Sequence, residues 1–259
     1  MSPSSLAIPK LVEQAATIIR QAQNGVALTG AGISTPSGIP DFRSPGSVLW
    51  KRDLPMEVAS LAVFRHHPQR FFDWIRTLAR HILSAEPNQA HKSLARLEVA
   101  GHIKTIITQN IDMLHKRAGS SNVLEIHGTF ATLSCLHCYQ QIESTPKILN
   151  DYLGKGIIPR CPSCQEILKP DVILFGEQLP AKQWNAAQKA IDQCDILLVI
   201  GSSLTVVPVA ELPKRAMKRD LYLIILNKMG TYLDKQADVV IHCDVAEILP
   251  KITQKVLYA

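Results

Sequence analysis

The chain has 259 residues, 46% of them hydrophobic and 19% charged, a balance that excludes a disordered or collagen-like chain and suits one large α/β domain carrying inserted modules. Its 28 Lys and Arg against 22 Asp and Glu leave a formal charge of +6, scattered along the chain, so charge by itself selects no partner. The longest apolar stretches, Ile196 to Ile200 and Leu221 to Leu226, fall far short of the roughly 20 residues of a membrane span, and residues 1–10 lack a basic start followed by an apolar run, so a cytoplasmic location without membrane contact is expected.

In chain order, short runs rich in Val, Ile and Leu alternate with helical patterns. Strands are predicted at Val26 to Thr29, Ile103 to Thr108, Val123 to Ile126, Ile196 to Ile200, Leu221 to Leu226 and Val239 to His242. Helices are predicted near Leu11 to Gln23, Gln89 to Ala100, Ala181 to Gln193, Val209 to Lys218 and Val245 to Gln254. The alternation predicts an α/β fold with one parallel, Rossmann-like sheet. Two segments break it. Residues 36–86 open with several prolines and glycines and continue into a helical module, while residues 134–169 hold four of the six cysteines in a polar setting. The expected division is therefore 1–35, 87–133 and 170–259 for the sheet domain, 36–86 for a loop with its helical module, and 134–169 for a metal-binding module.

Ligands of an open parallel sheet bind beyond the carboxyl ends of its strands. The residues there are Gly30-Ala31-Gly32, Gln109-Asn110-Ile111-Asp112, His127-Gly128, Gly201-Ser202-Ser203, Asn227 and Cys243-Asp244, a set rich in small and hydrogen-bonding groups. Gly30 and Gly32 can let backbone N–H groups approach a pyrophosphate, or can simply form a turn. The third glycine of G-x-G-x-x-G is Thr35, and no acidic residue ends a second strand about 20 residues on, so the cofactor grip of an ordinary dehydrogenase is missing. His127 is placed to act as a general base near neutral pH, or to serve as a hydrogen-bonded structural histidine. Asp41-Phe42-Arg43 offers a ring and a guanidinium on a loop; a salt-bridged Arg and a core Phe read as well.

Cys135-Leu136-His137-Cys138 and Cys161-Pro162-Ser163-Cys164 are two C-x2-C knuckles separated by 22 residues. This spacing predicts one structural zinc with four thiolate ligands and no open position for catalysis, with disulfides or free thiols as the alternative reading. Cys194 reads as a small core residue, and His66-His67 as surface.

These blocks, taken together and in order, make the sequence closely resemble the sirtuin family of NAD-dependent protein lysine deacylases. The resemblance rests on Gly30 to Ser34, Gly38 to Arg43, Thr108 to Asp112, His127-Gly128, the four cysteines, Phe175-Gly176-Glu177, Gly201 to Leu204 and Asn227, and covers nearly the whole chain. It implies NAD as co-substrate, acyl-lysine proteins or peptides as partners, and a small domain built from the zinc and helical modules. Gly30, Ala31, Gly32, Asp41, Arg43, Gln109, Ile111, Gly201, Ser202, Ser203, Asn227 and Cys243 would then contact NAD. Asn110 and Asp112 would hold the nicotinamide carboxamide and Phe42 would shield the reacting ribose. Ile173, Phe175, Gly176 and Val206 would flank the substrate peptide. The implied chemistry has the acyl oxygen attack C1′ of the ribose as nicotinamide leaves, with His127 then acting as base on a ribose hydroxyl. Family members that prefer succinyl or malonyl lysine carry a Tyr-x-x-Arg pair before a Glu-Pro-Asn; counted back from Glu86, those positions hold Ile75 and Leu78, which implies an apolar acyl pocket.

The alternatives are mono-ADP-ribosyl transfer from the same electrophile and a zinc-ribbon DNA-binding module on a nucleotide sensor. The second would need basic residues crowded round the knuckles, yet residues 134–165 carry only Lys147, Lys155 and Arg160 against Glu143 and Asp151, so direct nucleic-acid binding is not expected.

Overall fold

Apolar runs that look continuous in the sequence divide cleanly once they become strands, because successive side chains point to opposite faces. The computed structural model describes residues 7–40 and 55–258. Strands β1 (Gly25–Thr29), β2 (Ile103–Thr108) and β3 (Val123–Glu125) form one half of a parallel sheet. Strands β7 (Ile196–Ile200), β8 (Tyr222–Leu226) and β9 (Val239–Ile241) form the other half, in the order β3-β2-β1-β7-β8-β9. Ala27, Leu198 and Ile224 face helices α1 (Ala7–Gln21), α5 (Gln89–Val99) and α10 (Val245–Leu257). Leu28, Val199 and Ile225 face α8 (Ala181–Gln193) and α9 (Glu211–Ala216) on the other side. The result is the expected Rossmann-like α/β sandwich, with each sheet strand within one residue of its predicted limits.

Helix starts follow local chemistry. The Asn88 side chain accepts from the Ala90 N–H at α5, and Asp244 does the same from Ala246 at α10, each satisfying a backbone donor that the first turn leaves free.

The small domain has a sheet of its own. Strands β4 (Gly128–Cys135), β5 (Gln141–Glu143) and β6 (Leu168–Val172) pair antiparallel in the order β5-β4-β6. The central strand β4 therefore runs across the limit at 134 that the cysteine-rich composition suggested and the edge strand β6 across that at 169, because β4 starts directly after His127 and β6 continues to Val172. Helices α2 (Pro55–Val58), α3 (Leu61–His66) and α4 (Pro68–Ser84) make the helical module, and α6 (Leu114–Arg117) and α7 (Pro146–Lys155) complete the set. Phe71, Phe72, Ile75 and Leu78 of α4 share one core with Phe130, Tyr152, Val172 and Leu174, so the helical and cysteine-bearing modules pack as a unit. Around the cysteines the apolar support is thin: Leu133, Cys135, Cys161 and Leu168. Cys194 is fully buried and His66 and His67 are exposed, as read from the sequence.

Candidate active site

Parallel register lines up the carboxyl ends of all six strands. Thr29 pairs with Thr108 on one side and Ile200 on the other, Thr108 with Glu125, Ile200 with Leu226, and Leu226 with Ile241. The residues that follow, Gly30, Gln109, His127, Gly201, Asn227 and Cys243, thus collect along one edge. Strand order reverses between β1 and β7, where an open sheet leaves a crevice.

At that crevice the two glycine loops bind each other. The Gly30 N–H donates to the Ile200 carbonyl (3.1 Å) and the Gly32 N–H to the Gly201 carbonyl (2.8 Å). Gly201 takes a left-handed φ of 60°, and a Cβ on it would lie 2.3 Å from the Ile33 nitrogen. The glycines are needed here for contact between loops, a reason that sequence spacing does not separate from anion binding. Ala31 is half-buried beside them.

Below lies a buried polar network. The Ser34 hydroxyl donates its one proton to Asp112 Oδ2 (2.6 Å), and the Leu114 N–H donates to Asp112 Oδ1 (2.9 Å). With that proton committed, Ser34 Oγ must accept from Asn110 Nδ2 (3.0 Å) and from His91 Nε2 (3.4 Å), which assigns the Nε2–H tautomer to His91. Asn110 Nδ2 also donates to the Gly30 carbonyl (3.1 Å). His91 meets His115 edge to face at 4.9 Å between ring centres, and His115 Nε2 bonds the Thr29 hydroxyl (2.9 Å). Nδ1 of both rings is buried without a hydrogen-bond partner among the described residues. Burial pushes the His91 pKa down to about 4, and burial, then the neighbouring His91, holds that of His115 well below the ordinary imidazole value. Burial raises the Asp112 carboxyl, against the pull of Ser34 and Leu114. His91 and His115 were not singled out in the sequence, and Thr29 and Ser34, which border the glycine block, were given no role there. The available signal was the helical period of α5, which sets His91 on the buried stripe with Leu94 and Ala95.

His127 is half-buried, and its Nδ1 faces the Gln109 carbonyl at 3.0 Å. A carbonyl only accepts, so Nδ1 carries the proton and Nε2 keeps its lone pair. Burial lowers the His127 pKa, opposed by that hydrogen bond, so the neutral form is favoured. The chain turns at once into β4 because Gly128 takes a φ of 81°, where a Cβ would sit 1.9 Å from the Asp171 carbonyl oxygen.

Gln109 Nε2 donates to the Ser202 hydroxyl (2.9 Å), linking β2 to the β7 loop, and Ser203 is exposed. Asn227 is buried, its Nδ2 donating to the Met229 carbonyl (2.7 Å) and its own carbonyl accepting from His242 Nδ1 (2.9 Å). Cys243 and Ile111 are half-buried. Phe175, Gly176 and Val206 are exposed, and Ile173 is half-buried with its N–H on the His127 carbonyl (2.8 Å). Ile75 and Leu78 lie deep in the small-domain core, 2% and 1% exposed. Arg76 and Arg80 face α7: the first stacks on Tyr152, the second donates to the Leu153 carbonyl. Asp41, Phe42 and Arg43 lie outside the described residues.

The four cysteine sulfurs lie within 4.8 Å of one another, with pairs at 3.4, 3.5 and 3.6 Å. A tetrahedral zinc with bonds near ~2.3 Å sets its sulfurs roughly 3.8 Å apart, so the set fits. The two knuckles repeat each other. Tyr139 and Gln165, each just after the second cysteine, have left-handed φ values of 62° and 65°. The Cys138 and His137 N–H groups point at Cys135 Sγ and draw its pKa down to about 6.

A model of the Sir2 family matches residues 30–208. An NAD-dependent protein deacylase of Archaeoglobus fulgidus is 44% identical over 246 residues, covering 95% of this chain and 96% of that protein. A Sir2 homologue solved with NAD superposes with a TM-score of 0.86 at 35% identity, covering 94% of this chain and 93% of its own. A Sir2 enzyme solved with a propionylated peptide gives 0.83 at 34% identity, covering 94% and 98%.

Proposed function

The chain belongs to the Sir2 family, and on that premise we propose that it is an NAD-dependent protein lysine deacylase, moving the acyl group of a modified lysine to ADP-ribose and releasing nicotinamide. The observation that carries the reading is the state of His127: Nδ1–H is held by the Gln109 carbonyl, and a free Nε2 lone pair stands at the shared edge of the sheet. An imidazole fixed in that tautomer and kept neutral by burial is a competent general base for a ribose hydroxyl.

NAD is the substrate that supplies the electrophilic carbon. Asn110 and Asp112 hold its carboxamide end, and the Ser34 network below keeps both side chains in one orientation before the substrate arrives. Gln109, Ser202, Asn227 and Cys243 follow the remainder of the dinucleotide along the row of strand ends. The acyl-lysine peptide enters past Phe175, Gly176 and Val206, which leave apolar surface exposed. Cys135, Cys138, Cys161 and Cys164 hold a zinc that supplies shape to the small domain, where the apolar core is thin. The same proposal takes 1–35, 87–133 and 170–259 as the NAD-binding part and 36–86 and 134–169 as the inserted modules, with β4 and β6 running across the limits between them, and a cytoplasmic location, which suits thiolates that must stay reduced.

Mass spectrometry of an acyl-lysine peptide panel, incubated with and without NAD, tests the reading. Loss of the acyl mass only with NAD, with O-acyl-ADP-ribose formed, supports it. A peptide that gains ADP-ribose and keeps its acyl group would instead make the protein an ADP-ribosyltransferase.

A further inference from the structure

β6 carries a lysine that is only 5% exposed. The three protons of Lys169 Nζ meet three acceptors: the carbonyls of Pro170 (3.1 Å) and Val172 (2.8 Å), and Glu177 Oε2 (3.0 Å). Glu177 Oε2 also accepts the Leu174 N–H (2.8 Å), while the Glu177 N–H returns to the Leu174 carbonyl (3.0 Å). The pair therefore closes the turn 174–177 from inside. That turn holds out Phe175, 47% exposed, and ties it to the helical module: the Phe175 N–H donates to the Ala59 carbonyl (2.9 Å) and its carbonyl accepts from the Leu61 N–H (3.0 Å).

Ladder bonds hold β6 as far as Ile173, where its N–H grips the His127 carbonyl and Val172 pairs with Gly128. From Leu174 onward, shape comes from Glu177 and the Phe175 bridge. We infer that Lys169 and Glu177 are a positioning pair that sets the Phe175–Gly176 turn as the peptide-facing wall, and so governs affinity for the acyl-lysine peptide without entering the chemistry at His127. The inference rests on the deacylase reading. A buried cation whose carboxylate is removed is left uncompensated, so the turn and the lysine must rearrange together.

The test compares Glu177→Ala and Glu177→Gln with the unmodified protein in steady-state kinetics on one acetyl-lysine peptide, alongside calorimetric NAD binding. Glu177→Ala raises the peptide KM roughly tenfold, as expected for a lost charge-assisted hydrogen bond. Glu177→Gln, which keeps an acceptor for the Leu174 N–H, raises it less. In both, kcat and NAD affinity stay within about twofold, the pattern of lost binding without lost transition-state contact. An unchanged KM in Glu177→Ala overturns the inference, and so does a parallel fall in kcat and NAD affinity, which marks general structural support. An unmodified protein that leaves the peptide intact with NAD present overturns the deacylase reading instead.

Discussion

Acidification should unfold this protein through two imidazoles that the fold keeps neutral. Burial holds His91 near a pKa of about 4 and drives His115 well below 6.5, whereas unfolding returns both to the ordinary range. Below pH 6.5 the unfolded chain binds protons that the native state refuses. The contribution to stability is therefore complete above the unfolded pKa and is lost as pH falls from 6.5 towards 4. For His91 alone the gap between 6.5 and about 4 is worth about 3 kcal/mol, at roughly 1.4 kcal/mol per pH unit. That is a large share of the ~5–15 kcal/mol typical of a domain. His91→Gln is the perturbation, because a Gln Nε2 can donate to Ser34 Oγ as the imidazole Nε2–H does, but does not titrate. Urea unfolding of both proteins at steps between about pH 7 and pH 4.5 gives the comparison, since carboxylates and zinc thiolates titrate alike in each. The wild-type curve should fall more steeply by up to one proton, about 1.4 kcal/mol per pH unit. Parallel curves would refute the neutral, buried state of His91.

Asp112→Asn should weaken nicotinamide inhibition and base exchange more than ADP-ribose binding. With Oδ1 kept on the Leu114 N–H, the new amide N–H would face Ser34 Oγ, which already accepts from Asn110 and His91, and the Ser34 proton would lose its acceptor. Equal losses for the two ligands, measured by calorimetry and exchange kinetics, would contradict a carboxamide role. One zinc per chain is expected by metal analysis, and serine at any of Cys135, Cys138, Cys161 or Cys164 should remove it and lower Tm, because metal binding there is coupled to folding; active protein without zinc would contradict this. Acetyl and longer apolar acyl groups should be removed at least about tenfold faster than succinyl or malonyl, since Ile75 and Leu78 are core residues and Arg76 and Arg80 are engaged on α7. Comparable kcat/KM on one peptide carrying each acyl group would show a basic residue reading the acid.

The parallel sheet was legible because its strands are short apolar runs closed by turn residues, a pattern that survives without knowledge of neighbours. The knuckles were legible because four ligands of one metal impose a spacing. What escaped was set by pairing across the chain. β4 carries mixed polar and apolar residues and β6 contains Pro170, so neither shows the signal of a buried strand, and only their mutual register makes a sheet. Ser34, His91 and His115 lie 57 and 24 residues apart in sequence, and their proximity exists only once β1, α5 and α6 pack together. The reason for Gly32 was similarly hidden, since the loop it touches follows β7.

The central claim is that His127 is the base of an NAD-consuming deacylation, and His127→Ala tests it most directly. Turnover of an acetyl-lysine peptide and calorimetric NAD binding should be measured on the same preparation. The expected result is a fall in turnover of roughly 10² to 10⁴ with NAD affinity retained, because the base acts only after the substrate is seated. Near-normal turnover would place the base elsewhere and contradict the account.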